Sequence, residues 1–336
     1  MNWRKPKQTD ALAPGQIVGT DLSKMRVAVI ATGGTIASKR GDDGAARPAL
    51  SGEALVSGLS SADVLVKPVE LMAKDSSSLT LSDMQDISDA VGKELADPAV
   101  DGIVILHGTD SMEESALLVH LQHHLTKPVI FTGAQFTADH PRSDGPGNLS
   151  AAIEASVDPS KIERGVLVCF GGTLFPAWGL YKRSSDESNA FDLAGHVLCP
   201  QSPGLSASVK NLRVDIVAIY PGCEATHIDA SLNAGADGIV LAALGSGNAN
   251  VRIVEAVGRC REAKVPVIVS SRVPTGVLVA GYGGGGGGHD LGAAGAIHSQ
   301  TLRAGQARIL LAAMIASEKT ADETRTAFGD FGKVAK

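Results

Sequence analysis

Two short stretches place hydroxyl-bearing residues where a buried strand gives way to a turn. ATGGTIAS, at 31–38, follows RVAVI and sets Thr32 and Thr35 on either side of Gly33 and Gly34. HGTDSMEES, at 107–115, follows GIVIL and opens a predicted helix. A threonine hydroxyl is a weak nucleophile and needs a base or strong local polarisation to react. Taken alone, the paired glycines fit a tight turn. They lack the Gly-Lys-Ser/Thr ending of a phosphate loop and a complete GxGxxG, so they give little support for nucleotide binding. Taken alone, Thr109, Asp110 and Ser111 fit helix N-capping, but a cap needs one such residue and not three in succession. In an open parallel sheet, ligands bind beyond the carboxyl ends of the strands, where two such loops can converge on one ligand. A third stretch, MAKDSSSL at 72–79, reads as a polar turn on composition. At the same sheet edge its hydroxyls and amide N–H groups suit a carboxylate, while an ionised Asp110 suits an ammonium. A carboxylate binder facing an ammonium binder describes a pocket for an α-amino acid.

The elements that must position these loops follow from hydrophobic pattern. RVAVIAT (26–32), GIVIL (102–106), PVIFTGA (128–134) and GVLVCF (165–170) are continuous apolar runs, the mark of strands buried on both faces. ADVLVKPVELM (62–72) is a further strand, with Pro68 assigning it to an edge or interrupting its centre. Residues 82–96 carry Met84, Ile87, Val91 and Leu95 on one helical face, with Ser82 and Gln85 as a capping box. Residues 111–125 form a second helix, capped by Ser111 and Glu114, and another is expected around 147–156. Strand–helix alternation of this kind predicts an α/β fold with a parallel sheet covered by helices. The expected organisation is a loose tail at 1–24, a larger N-terminal catalytic α/β domain at 25–195, a linker at 196–213 and a smaller C-terminal α/β domain at 214–336. The last is read from VDIVAIY (214–220), GIVLAAL (238–244), a helix near 250–263, PVIVSS (266–271) and a helix in 304–316.

The 336 residues suit two domains, and 44% hydrophobic against 20% charged residues is a globular balance. A net charge of −6 with scattered basic residues disfavours nucleic acid as a partner. No apolar run reaches membrane-spanning length, and the N-terminus has no apolar signal region. Cys169, Cys199, Cys223 and Cys260 form no CxxC pair and fit free thiols in a reducing cytoplasm. His120 and His124 share an i, i+4 spacing but have no third ligand in reach, so His120, His123 and His124 are read as a solvated helical face. Nothing in the chain implies a metal or a cofactor.

ATGGTIA and HGTDSMEE, in this order and at this separation, resemble the bacterial-type L-asparaginase family, in its cytoplasmic-type branch. The resemblance continues through MAKDSS, PVIFTGA, SDGPGNL (143–149), VDIVAIYPG, LGSGNAN and SSRVPTG, over roughly residues 25–316. It implies that Thr35 is the nucleophile and that Thr109, Asp110 and a lysine form a second catalytic group. Lys182, in GLYKRSSDESNAF, is chosen for its spacing to Phe191. Ser76 and Ser77, with Asp110, would hold the substrate's α-carboxylate and α-ammonium. The implied reaction releases L-aspartate and ammonia from L-asparagine. The implied assembly is a homotetramer of intimate dimers.

The chain also departs from the secreted branch of that family. Residues 36–50 contain no tyrosine, and VLVAGYGGGG contains no glutamate after SSRVPTG. Tyr282, just before the run Gly283–Gly288, resembles a tyrosine that some cytoplasmic-type relatives supply from a partner subunit. His107, ahead of GTD, receives no role. Glutaminase or dual-specificity activity is the near alternative, because one methylene discriminates by only about 1–3 kcal/mol. A non-catalytic amino-acid sensor on the same scaffold is the alternative from another class.

Overall fold

The computed structural model describes residues 24–41, 43–57, 63–195 and 199–329. The tail assigned to 1–24 lies, apart from Lys24, outside the described residues, as does the linker's start at 196–198. The N-terminal part runs β1 (Met25–Ala31), β2 (Ser38–Arg40), β3 (Ala46–Pro48), α1 (Gly52–Val56), β4 (Val64–Glu70), α2 (Leu81–Ala96), β5 (Gly102–Leu106), α3 (Met112–Gln122), β6 (Val129–Thr132), α4 (Gly145–Ser156), β7 (Leu167–Phe170), β8 (Thr173–Pro176), β9 (Leu180–Lys182) and β10 (Phe191–Leu193). Its main sheet has the order β4-β1-β5-β6-β7-β8, parallel except for β8.

Alternation along the strands divides the core between two faces. Ala28, Ile30, Ile103 and Ile105 pack with Ile87 of α2 and Val119 of α3. Val27, Val29, Val104 and Leu106 pack with Leu149, Ala152 and Ile153 of α4. Burial on both sides is why these strands read as unbroken apolar runs. Pro68 lies on β4, the strand at the sheet's edge, where it pairs with Val29 of β1 and a missing backbone donor is tolerated.

The second part runs β11 (Val214–Ala218), α5 (Thr226–Asn233), β12 (Gly238–Ala243), α6 (Val251–Glu262), β13 (Val267–Ser271), α7 (Gly288–Ala294), β14 (Ile297–His298), α8 (Ala304–Ala316) and α9 (Ala321–Ala327). Its sheet, β11-β12-β13-β14, is parallel throughout. The two parts share an apolar seam. Met84 of α2 and Leu117, Leu118 and Leu121 of α3 belong to one buried cluster with Val240, Ile268, Leu310 and Leu311. Helix α8 is apolar around most of its circumference because it is covered from both sides.

Local details differ from the sequence expectations. The α2 capping box is Thr80 with Asp83, two residues before the expected Ser82 and Gln85. Ser111 does occupy the α3 N-cap position, but its hydroxyl caps nothing and bonds to a distant loop instead. The three histidines are not a solvated helical face. His120 is buried against the carbonyl of Pro200, and α3 ends before His123, which bonds to Ser88. The glycine run, to which the sequence assigns no conformation, ends in a helix: Gly288 begins α7 and Gly287 is its N-cap.

Candidate active site

The ends of β1 and β5 lie side by side, with Ala31 opposite Leu106, so their following loops leave the sheet at one point. Thr32 holds that junction: its hydroxyl donates to the Leu106 carbonyl at 2.8 Å. The next loop positions are fixed by backbone packing. Gly34 has φ 87°, and a Cβ there would stand 2.6 Å from Gly108 Cα. A Cβ on Gly108 would in turn stand 2.5 Å from Ser76 Oγ. The first glycine supplies a left-handed φ and both supply close approach, which side-chain-bearing residues deny. The ATGGT, HGTD and DSS loops are therefore stacked, and Thr35 and Thr109 each follow one of two touching glycines.

Thr35 opens a single 3-10 turn, Thr35–Ala37, and is half-buried. Among the described residues its hydroxyl has no hydrogen-bond partner. Thr109 is buried, and Lys182 Nζ donates to Thr109 Oγ1 at 2.8 Å and to Asp110 Oδ1 at 2.8 Å. Lys182 arrives on the β9–β10 hairpin, directly opposite Phe191, whose ring packs edge-on against Phe170 at 5.1 Å between centroids. The spacing that singled out Lys182 is thus a cross-strand pair. The Asp110 side chain is 59% exposed and that of Lys182 20% exposed. An exposed pair of this kind contributes only about 0–1 kcal/mol to stability.

The serine loop is tied to the same turn. Ser76 is buried, its Oγ accepts from the Asp110 amide at 3.1 Å, and its carbonyl accepts from Ser111 Oγ at 2.7 Å. Ser77, beside it, is exposed. Lys74 anchors the loop through an ion pair to Asp83, the carboxylate of the α2 capping box, whose pKa this contact holds below the usual range. Tyr282 stands apart from this cluster. It is 66% exposed, and no hydrogen bond joins it to Thr35, Thr109 or Lys182 within one chain. Its loop is held by Ser246, which exchanges hydrogen bonds with Val279, and by Asp290, which accepts from the amides of Gly285 and Gly287.

Two groups beside the site went unread in the sequence. His107 is fully buried, with Nδ1 at 2.7 Å from the Gly108 carbonyl and Nε2 at 2.8 Å from Ser115 Oγ. A carbonyl only accepts, so Nδ1 carries the proton and Nε2 receives the serine's. Burial pushes this imidazole down to about 4, which keeps it neutral as a fixed strut beneath the HGTD turn. Glu113 keeps some surface exposure as a residue, yet its Oε2 is shielded and has no hydrogen-bond partner among the described residues. Burial pushes its carboxyl up to about 8; the nearby carboxylates of Glu114 and Asp110 add to this, and Lys182 opposes it.

A carboxyl raised in this way stabilises the fold below its unfolded value, near 4.5, and that stability is lost as pH rises through about 8. The expected result for Glu113→Gln is a melting temperature that falls less steeply with pH, exceeding wild type by about 2 °C or more at pH 9. Parallel curves for the two proteins from pH 5 to 9 would count against a buried neutral carboxyl. Among the described residues, no cluster of His, Cys, Asp or Glu is placed to hold a metal ion.

With the geometry in place, comparison with known proteins identifies the scaffold. Residues 26–199 match the family model described as Asparaginase, N-terminal, and residues 213–328 match the Glutaminase/Asparaginase C-terminal domain. The chain belongs to the asparaginase family. It is 32% identical to a probable L-asparaginase of Deinococcus radiodurans, over 90% of this chain and 97% of that one. It is 28% identical to L-asparaginase 2 of Escherichia coli, over 98% and 100% of the respective chains. A crystal structure of a probable cytoplasmic L-asparaginase from Campylobacter jejuni shares the fold, with TM-score 0.79 at 24% identity over 91% of this chain and 99% of that one.

Proposed function

We propose that this chain is an L-asparagine amidohydrolase that forms a covalent intermediate on Thr35. The observation that carries this reading is Lys182 bonded to both Thr109 and Asp110, in a turn stacked against the loop that bears Thr35. The α-carboxylate of asparagine is bound by Ser76, Ser77 and the amides of their turn. Its α-ammonium is bound by Asp110, whose Oδ1 already accepts from Lys182 and whose Oδ2 is open to the ligand. This fixes the substrate at one end and brings its side-chain amide to Thr35, converting a bimolecular encounter into an oriented one.

Thr35 Oγ attacks the amide carbon while its proton passes through the Thr109 hydroxyl to Lys182, a step that requires the lysine first to give up a proton from its ammonium. Backbone N–H groups near Thr109 stabilise the tetrahedral oxyanion. The relayed proton then goes to the amide nitrogen, the C–N bond breaks, and ammonia leaves a β-aspartyl ester on Thr35. Water attacks that ester by the same route in reverse, releasing aspartate and restoring the hydroxyl.

Tyr282 closes the site of a neighbouring subunit in a homotetramer of intimate dimers. Its exposure within one chain supports that reading. Tyr282→Phe is expected to lower kcat about tenfold or more by removing a polarising hydroxyl. Full activity in that variant would remove Tyr282 from the mechanism. The free thiols, Cys169, Cys223 and Cys260 buried and Cys199 partly so, favour a cytoplasmic setting. Among the described residues no helix is long and apolar enough to cross a membrane.

The test of the function is ammonia release from asparagine and from glutamine by the native chain, with asparagine the faster substrate. Release from neither would overturn the enzyme reading and favour an amino-acid sensor, and faster release from glutamine would make the chain a glutaminase.

A further inference from the structure

Gln306 sits in the first turn of α8, in the C-terminal domain, and is 1% exposed. Its carboxamide crosses to the other domain and satisfies three backbone groups there. Oε1 accepts from the Gly179 amide at 2.8 Å, and Nε2 donates to the carbonyls of Glu113, at 3.0 Å, and Ala177. Ala177 and Gly179 form the turn that leads into β9, where Lys182 lies; Glu113 lies in the first turn of α3, just after Thr109 and Asp110. One side chain therefore ties the strand that delivers the lysine to the turn that presents its two partners.

We infer that Gln306 is a positioning residue for the Thr109–Lys182 pair, so that the C-terminal domain sets the proton-relay geometry of the N-terminal one. This rests on the proposed amidohydrolase mechanism. The apolar seam already holds the domains together through residues such as Leu310 and Leu311, so adhesion alone does not call for a buried carboxamide. A carboxamide offers what the three backbone groups need, which is one acceptor and two donors. Lysine would still donate to the two carbonyls but leave the Gly179 amide unpaired. Glutamate would serve that amide but face both carbonyls with lone pairs. Proton relay is sensitive to displacements of about 1 Å, which can reduce rates by about 10²-fold.

The test compares Gln306→Met, Gln306→Lys and Gln306→Glu in the full-length protein, with Arg308→Met as a control. Arg308 bonds to Glu114 and to the Val214 carbonyl from the same helix without contacting the turn before Lys182. Gln306→Met is expected to lower kcat for asparagine about 10- to 100-fold with KM changed less than about threefold. Gln306→Lys should recover most of that loss and Gln306→Glu should not, while Arg308→Met lowers the melting temperature with kcat held within about threefold. Wild-type kcat in Gln306→Met, or an equal fall in Arg308→Met at matched loss of stability, would make Gln306 an ordinary packing group. If Gln306→Met does not fold, equal kcat in the lysine and glutamate variants overturns the positioning role in the same way. An active wild type with an indifferent Gln306 overturns this inference alone, whereas a wild type inactive on both amides overturns the mechanism beneath it.

Discussion

Thr35→Ala is expected to lose ammonia release from asparagine by about 10⁴-fold or more, because no covalent route remains once the hydroxyl is gone. The same substitution should leave the fold intact. The Thr35 hydroxyl bonds to no other described residue, so its removal strands no buried partner, and the 3-10 turn that follows depends on backbone bonds such as Ala37 N–H to the Gly34 carbonyl. Aspartate should still bind within a few-fold of the wild-type affinity, because in the proposed binding mode Ser76, Ser77 and Asp110 hold the opposite end of the ligand. Steady-state assay, thermal melting and calorimetric titration with aspartate separate these effects. Rapid quenching of the wild type with asparagine should trap a mass increment on the peptide containing Thr35. Activity surviving in the alanine variant would move the nucleophile elsewhere, with Thr109 the next hydroxyl to examine.

Lys182→Met carries the second large effect, a fall in kcat of about 10²- to 10⁴-fold, the range for loss of a positioned base. Stability should barely change. The partner Asp110 is 59% exposed and is solvated once the ammonium is removed, so stability should fall by no more than an exposed pair warrants, about 1 kcal/mol or less. Arginine is not expected to rescue activity, since its planar guanidinium stays protonated and cannot take the relayed proton. Near-normal kcat in Lys182→Met, with stability preserved, would leave the Lys182–Asp110 contact as a surface ion pair without a role in the chemistry.

The long parallel strands of the two main sheets were legible because continuous apolar runs are local signals. The short strands β2, β3, β8, β9, β10 and β14, of two to four residues each, carry too little pattern to be read. The caps were less legible than the long strands. In the stretch Thr80–Gln85 both Thr80/Asp83 and Ser82/Gln85 satisfy the capping pattern, and the choice depends on the backbone entering the helix, which Lys74 anchors through Asp83. Ser111 shows the same limit from the other direction: its hydroxyl bonds 35 residues away, to Ser76, for reasons no window around it contains. At the site, the threonine and aspartate motifs were visible, and the spacing from Lys182 to Phe191 has a physical origin in the hairpin. His107 and Glu113 were not read, because their behaviour arises from burial and not from residue type. Gln306 was beyond reach, since the Gly179 amide it serves is 127 residues away.

The stacking of Gly34 on Gly108 on Ser76 also bears on how the protein can change. A substitution at the inner layer collides with backbone or with a loop already in contact, so an altered substrate range cannot arise there one residue at a time. Adaptation, whether in a lineage or at the bench, is left to exposed positions around that stack, such as Ser77. The centre of the candidate site is frozen by its smallest residues, while the exposed positions around it are free to drift.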